Sequence, residues 1–164
     1  MKVVYKISDW VFEIEKFLAI IFGLTILISL AAGVFYRHVL QSPLVWSDEM
    51  ALFSLAWITF IGGSMGIKLN TTPSITILTD FLKGKARKVV LVLGILILTV
   101  FVGYILYLSI NWLSSPNILV QKSSSMQMPK IYAYLCIPVS FTFMLVHSLE
   151  KLLKSFSNTE GEAL

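Results

Sequence analysis

Apolar residues run almost unbroken through Phe17–Tyr36, Met50–Ile67, Val89–Leu113 and Ile131–Leu149, and no Lys, Arg, Asp or Glu interrupts any of the four runs. Each approaches or exceeds the ~20 residues that a helix needs to cross a ~30 Å hydrocarbon layer. The pattern predicts an all-α membrane protein with four transmembrane helices. The third run is the longest and is expected to tilt. Pro138 lies inside the fourth; lacking an N–H, it deprives the carbonyl four residues earlier of its donor and predicts a kink.

Outside the spans the period is that of short amphipathic helices. Residues 1–16 place Val3, Ile7, Trp10 and Ile14 on one side, with Val4 and Val11 beside them, and Lys2, Lys6, Asp9 and Glu13 on the other, which predicts a lead-in helix before the first span. Two roles are open to it: lying at the headgroup boundary with Trp10 as an anchor, or docking against the helices of a partner. A second amphipathic segment, 73–83, follows Thr72-Pro73, a pair suited to N-cap and N1. It carries Ile75, Leu78 and Leu82 on one face, with Gly84 as its stop. The basic group Lys83, Lys85, Arg87 and Lys88 then either anchors the chain to anionic lipid or forms a recognition surface, anchoring being favoured.

Composition narrows the class. With 57% apolar and 13% charged residues and a mean hydropathy of +0.83, nearly the whole length is spent on membrane spans, so a single membrane domain over 1–164 is expected. The net charge of +4 does not point to nucleic acid, because the basic residues flank spans and form no soluble domain. Ten of the thirteen Lys and Arg fall on the side of the termini, and three, Arg37, Lys122 and Lys130, fall opposite. That asymmetry predicts cytoplasmic termini in a multi-pass inner-membrane protein. A cleaved leader is the competing interpretation of the first run; Asp9, Glu13 and Glu15 before it and the lack of an A-x-A site after it argue against one.

Small residues recur at four-residue intervals within the spans, Ser29 and Gly33 in the first, Gly62 and Gly66 in the second with Gly63 alongside. Such faces let helices approach closely in lipid, either within the chain or against another subunit. Candidate chemistry is sparse. His38 and His147 are predicted at opposite membrane boundaries, too far apart to share a haem or metal, and each reads as an interfacial residue. Cys136 has no partner in the chain. No phosphate-binding Gly-rich loop occurs, and no serine is expected to have a histidine and an acid within reach. The chain is expected to be neither an enzyme nor a cofactor carrier.

The richest polar stretch is Arg37 to Glu49. Ser47 is placed to cap the second span, and Asp48 and Glu49 in its first turn complement the helix dipole. Arg37 and Trp46 serve either as boundary anchors or as recognition groups, and Arg37 with Asp48 and Glu49 offers an ion pair between spans one and two or charge for a partner outside the membrane. At this point Tyr36-Arg37, Pro43, Trp46-Ser47-Asp48-Glu49, Trp57 and Phe60-Ile61-Gly62-Gly63 resemble the small membrane subunit of tripartite ATP-independent periplasmic (TRAP) transporters. Pro129-Lys130-Ile131-Tyr132 and Ile137-Pro138 resemble that family's two-proline pattern in the fourth helix, so the resemblance spans nearly the whole chain. Lys68-Leu69-Asn70-Thr71 departs from it where many relatives carry a histidine.

The resemblance implies a sodium-driven system that imports organic acids, sialic acid or C4-dicarboxylates among them. A periplasmic substrate-binding protein would capture the solute, and a large membrane subunit would carry it by an elevator motion. This chain would be the fixed scaffold beside the large subunit. Arg37, Trp46, Asp48 and Glu49, with Lys122 and Lys130, are then expected to dock the binding protein or brace the docking surface. A self-sufficient four-helix exporter and a structural subunit of another membrane complex are the alternatives; an exporter would be expected to carry a carboxylate inside its first span, which is lacking between Phe17 and Tyr36.

Overall fold

The computed structural model describes residues 2–69 and 85–160. These are helical apart from short connections and a single antiparallel bridge between Lys122 and Pro129. The elements are α1 (Lys2–His38), α2 (Ser47–Lys68), α3 (Lys85–Leu113), the single turns α4 (Pro116–Leu119) and α5 (Ile131–Tyr134), and α6 (Cys136–Glu160). Four stretches, Val3–His38, Ser47–Lys68, Val89–Leu113 and Ile131–Ser155, are long and apolar enough to cross a membrane. The expected all-α architecture with four spans is what is found. The predicted 73–83 segment and Lys83 lie outside the described residues, and Lys85, Arg87 and Lys88 contribute the first turn of α3.

Helix α1 departs from expectation. The lead-in and the first span form one unbroken helix of 37 residues, because 2–38 contains no proline and the i→i−4 ladder has nowhere to stop. At ~1.5 Å per residue it is ~55 Å long, far more than a ~30 Å core requires. Residues 2–16 therefore continue the axis of the span instead of lying flat as a separate helix. The fourth span shows the opposite behaviour. It is interrupted at Leu135, between α5 and α6, where Pro138 leaves the Tyr134 carbonyl without its donor.

Packing follows the order α1, α2, α6, α3, with α1 also touching α6. Antiparallel α1 and α2 meet through Phe22 stacked on Trp57, ring centroids 5.3 Å apart, and through Gly33 against Ser47. The Trp57 indole donates to the Tyr132 carbonyl at 3.0 Å and ties α2 to α5. Trp112 of α3 packs on Tyr134. Among the described residues the interior is lined by small polar side chains: Ser29, Ser54, Ser64, Ser109, Ser140 and Ser148 are all buried. Large apolar residues such as Leu27, Val100 and Phe101 face outward, as expected when lipid is the solvent. Hydroxyls at bilayer depth are accommodated by their own helix, Thr25 donating to Ile21 O, Thr59 to Leu55 O and Thr99 to Ile95 O.

The small residues singled out in the sequence separate into contacts and non-contacts. A methyl group added at Gly33 would lie 2.6 Å from Ser47 Oγ, and one at Gly63 3.1 Å from Met144 Cε. Gly62 meets open space, Ser29 is buried and Gly66 half-buried. Gly33→Ala is therefore expected to cost about 1–3 kcal/mol by overpacking, whereas Gly62→Ala should leave stability unchanged or slightly raised. Thermal unfolding in detergent distinguishes them, and equal melting temperatures for the two variants would contradict the packing at Gly33.

Candidate functional site

Polar side chains gather at the two ends of the bundle. At the end opposite the termini, α2 begins at Ser47, which was expected to cap it; instead Trp46 occupies the N-cap position with helical dihedrals and no side-chain cap. Ser47 Oγ donates back to the Leu44 carbonyl at 2.8 Å, because its side chain points into the α1 contact at Gly33. Asp48 and Glu49 do occupy the first turn. Arg37 Nη2 stands 3.8 Å from Asp48 Oδ2 with both side chains more than half exposed, a geometry that contributes at most about 1 kcal/mol.

Glu49 is held differently from Asp48. It turns toward the connection between α4 and α5 and accepts three hydrogen bonds, from Ser123 Oγ, from the Ser125 amide at 2.8 Å and from the Met126 amide at 2.9 Å. The segment so gripped is a narrow turn: Ser123 N donates to Met128 O at 2.8 Å, Lys130 N to Gln121 O at 2.9 Å, and Gln127 adopts φ 53°. Lys122 sits on the bridge to Pro129, exposed, and Lys130 is half-buried just before α5. Arg37, Trp46, Asp48, Glu49, Lys122 and Lys130 therefore all sit at this one end. Glu49 acts as a clamp on the turn, while Trp46, 44% exposed, faces out.

The end carrying the termini holds a network that the sequence did not disclose. Ser8, Glu15 and His147 are fully buried and Glu150 is nearly so. Ser8 Oγ lies 2.6 Å from His147 Nδ1, donates to Glu150 Oε2 at 2.5 Å and accepts from Lys68 Nζ at 3.0 Å. His147 Nε2 lies 3.0 Å from Glu15 Oε2. Lys68 reaches Glu150 at 2.6 Å and Asp9 at 2.7 Å, and Lys154 holds the other Glu150 oxygen at 2.5 Å. Three helices, α1, α2 and α6, are thereby pinned together.

One expectation is refined here and another corrected. His147 does lie at one end of the bundle, but it is fully buried at the centre of a cluster, with the Phe12 ring edge-on to it at 6.5 Å. A serine with a histidine and an acid in reach does exist, in Ser8, His147 and Glu15. It is not poised for nucleophilic attack. The hydroxyl is enclosed, and its proton and lone pairs are taken up by Glu150, Lys68 and the imidazole. The available signal was spacing: Ser8 and Glu15 lie two helical turns apart, and His147, Glu150 and Lys154 follow at i, i+3 and i+7. The apolar stripe on the other side of 1–16, with Val3, Ile7 and Trp10, is the face that points outward. Among the described residues no group of His, Cys, Asp and Glu could hold a metal ion.

Four stretches long and apolar enough to cross a membrane and two polar ends that staple helices together define a polytopic membrane component. The sequence matches, over residues 26–158, the family described as tripartite ATP-independent periplasmic transporters, DctQ component, and the chain belongs to that family. It is a transporter component and not an enzyme. It is 27% identical over 141 residues to the isethionate TRAP transporter permease protein DctMQ of Oleidesulfovibrio alaskensis, covering 86% of this chain and 22% of that protein. To the sialic acid TRAP transporter permease protein SiaT of Haemophilus influenzae it is 32% identical over 88 residues, 54% of this chain and 13% of that protein. The C4-dicarboxylate TRAP transporter small permease protein DctQ of Rhodobacter capsulatus is 24% identical over 120 residues, 73% of this chain and 53% of that protein. The chain thus spans about half or less of the length of these relatives.

Proposed function

We propose that this chain is the small subunit of a sodium-coupled TRAP importer of organic acids in a bacterial inner membrane, with both termini cytoplasmic. The observation that carries this reading is the division of polar groups. Among the described residues the buried charged side chains belong to the network at the end carrying the termini, and between the two polar ends the buried polar groups are serine hydroxyls. Such a unit supports a transport cycle performed by another chain. The large membrane subunit carries the solute and the sodium ions, and this bundle stays fixed beside it as a scaffold. Isethionate, sialic acid and C4-dicarboxylate, the substrates in the names of the relatives, share organic-anion chemistry. The solute class is accordingly a small organic acid, with sialic acid and C4-dicarboxylates the leading candidates.

The end bearing Arg37, Trp46, Asp48, Lys122 and Lys130 faces the periplasm and receives the substrate-binding protein, with Glu49 bracing the turn beside it. Arg37→Glu is expected to lower uptake roughly three- to tenfold through slower docking while leaving insertion intact, and the loss should shrink as salt rises. Uptake unchanged in this variant would remove Arg37 from the docking surface. The wider proposal is tested in proteoliposomes containing this chain, the large subunit, or both, with binding protein outside and a sodium gradient imposed. Uptake is expected only with both membrane chains present; sodium-driven uptake by this chain alone would refute the scaffold role.

A further inference from the structure

The outward face of α1 carries a repeat that lipid does not require. Ile7, Ile14, Ile21 and Ile28 follow one another at seven-residue intervals, and Val3, Trp10, Phe17 and Leu24 fill the alternate positions, three or four residues away. This is the a/d pattern of a left-handed coiled coil, with isoleucine at each of those four a positions. The face that α1 turns toward the bundle is a different one, marked by Ser8, Val11, Glu15, Ser29 and Gly33. Along the seam Val3 is 70% exposed, Trp10 69%, Phe17 65% and Ile28 64%.

From Val3 to Phe35 the seam runs ~48 Å, while hydrocarbon covers only ~30 Å. Because α1 is unbroken from Lys2 to His38, residues 2–16 cannot fold over to lay the apolar side on the headgroups. Val3, Ile7 and Trp10 therefore stand beyond the span, flanked by the charged side chains of Lys6 and Glu13 at the g positions.

We propose that this seam is the surface on which a membrane-crossing helix of the large permease subunit packs, continuing past the bilayer alongside residues 2–16. The inference rests on the subunit reading given above and names the face it uses. An occupant that follows the seam from end to end must itself cross the membrane, which excludes a soluble binding protein. A second copy of the chain fits poorly. In a parallel pair the g charges Lys6 and Glu13 would oppose Val11 and Leu18 of the other copy, and two Trp10 indoles would share one core layer. The DctMQ and SiaT relatives match this chain over only 22% and 13% of their lengths, so there the equivalent unit belongs to a much longer permease polypeptide, the source of a heterologous helix.

The test co-expresses the full chain with the large subunit of the same transporter. A photo-cross-linking amino acid is placed at Ile7, Trp10 or Leu24 on the seam, and at Val100 or Tyr104 on the exposed face of α3 as controls. Cross-links to the large subunit from the seam, at least tenfold more abundant than from α3, are expected. In parallel, Ile7→Asp combined with Trp10→Asp, both on the exposed face, should reduce co-purified large subunit at least tenfold with unchanged membrane insertion. An adduct of twice the chain's own mass would overturn the proposal in favour of self-association. Seam yields no higher than those from α3, in a complex that still co-purifies, would overturn the seam and leave the subunit reading standing. Failure of the two chains to co-purify at all would overturn both.

Discussion

Lys68→Ala is expected to lower the stability of the bundle by about 3 kcal/mol, toward the lower part of the range for breaking a buried ion pair from one side. The ammonium of Lys68 is only 14% exposed and Glu150 2%, so the carboxylate left behind is not rescued by water. Lys154 still holds its other oxygen, which keeps the loss from being larger. Ser8 also loses a donor, and the exposed Asp9 its partner. Replacing the pair together, Lys68→Met with Glu150→Leu, should recover most of the loss, since apolar side chains of similar volume carry no desolvation cost. Thermal unfolding in detergent measures both variants. A wild-type melting temperature for Lys68→Ala, or a double variant no better than the single one, would show that the network does not hold the helix ends.

Glu49→Gln is expected to release the 123–126 turn without disturbing the helices. A carboxylate accepts from Ser123, Ser125 and Met126 at once; an amide offers one acceptor oxygen and directs two N–H donors at groups that also donate. Amide exchange at Ser125 and Met126 should then accelerate at least tenfold, as expected when a charge-assisted bond is lost and the amide opens to water. Asp48→Asn, one residue away on an exposed side chain, is the control and should leave both amides protected. If the turn stays protected in Glu49→Gln, the clamp is redundant with the backbone bonds of Ser123 and Lys130.

What could be read in advance follows from which physical signal each feature depends on. The four spans were legible because burial in lipid demands long uncharged runs, and Val89–Leu113 or Met50–Ile67 cannot be mistaken for anything else. The break near Pro138 was legible from a missing donor. The terminal network was not. Ser8 and Glu15, Lys68, and His147 with Glu150 come from three helices far apart in the sequence; spacing groups the members within one helix, but nothing local links one helix's set to another's. The amphipathic period of 1–16 predicts a helix but not its continuity with the first span, which α1 shows. In α1 the polar groups Ser8 and Glu15 point inward and the apolar stripe outward, the reverse of a soluble helix. Ser47 was misplaced by one position for a similar reason: its hydroxyl answers to the tertiary contact at Gly33 and not to the helix end.

Both polar clamps are mounted on α2. Glu49 is in its first turn and Lys68 is its last residue, a separation of ~28 Å along the axis, close to the thickness of the hydrocarbon layer. This one helix works as a tie rod bolted at the two faces of the membrane. A push on the 123–126 turn would be delivered across the bilayer to the starts of α1 and the last turns of α6 with little slack, so that the subunit would yield to lateral load as one stiff strut.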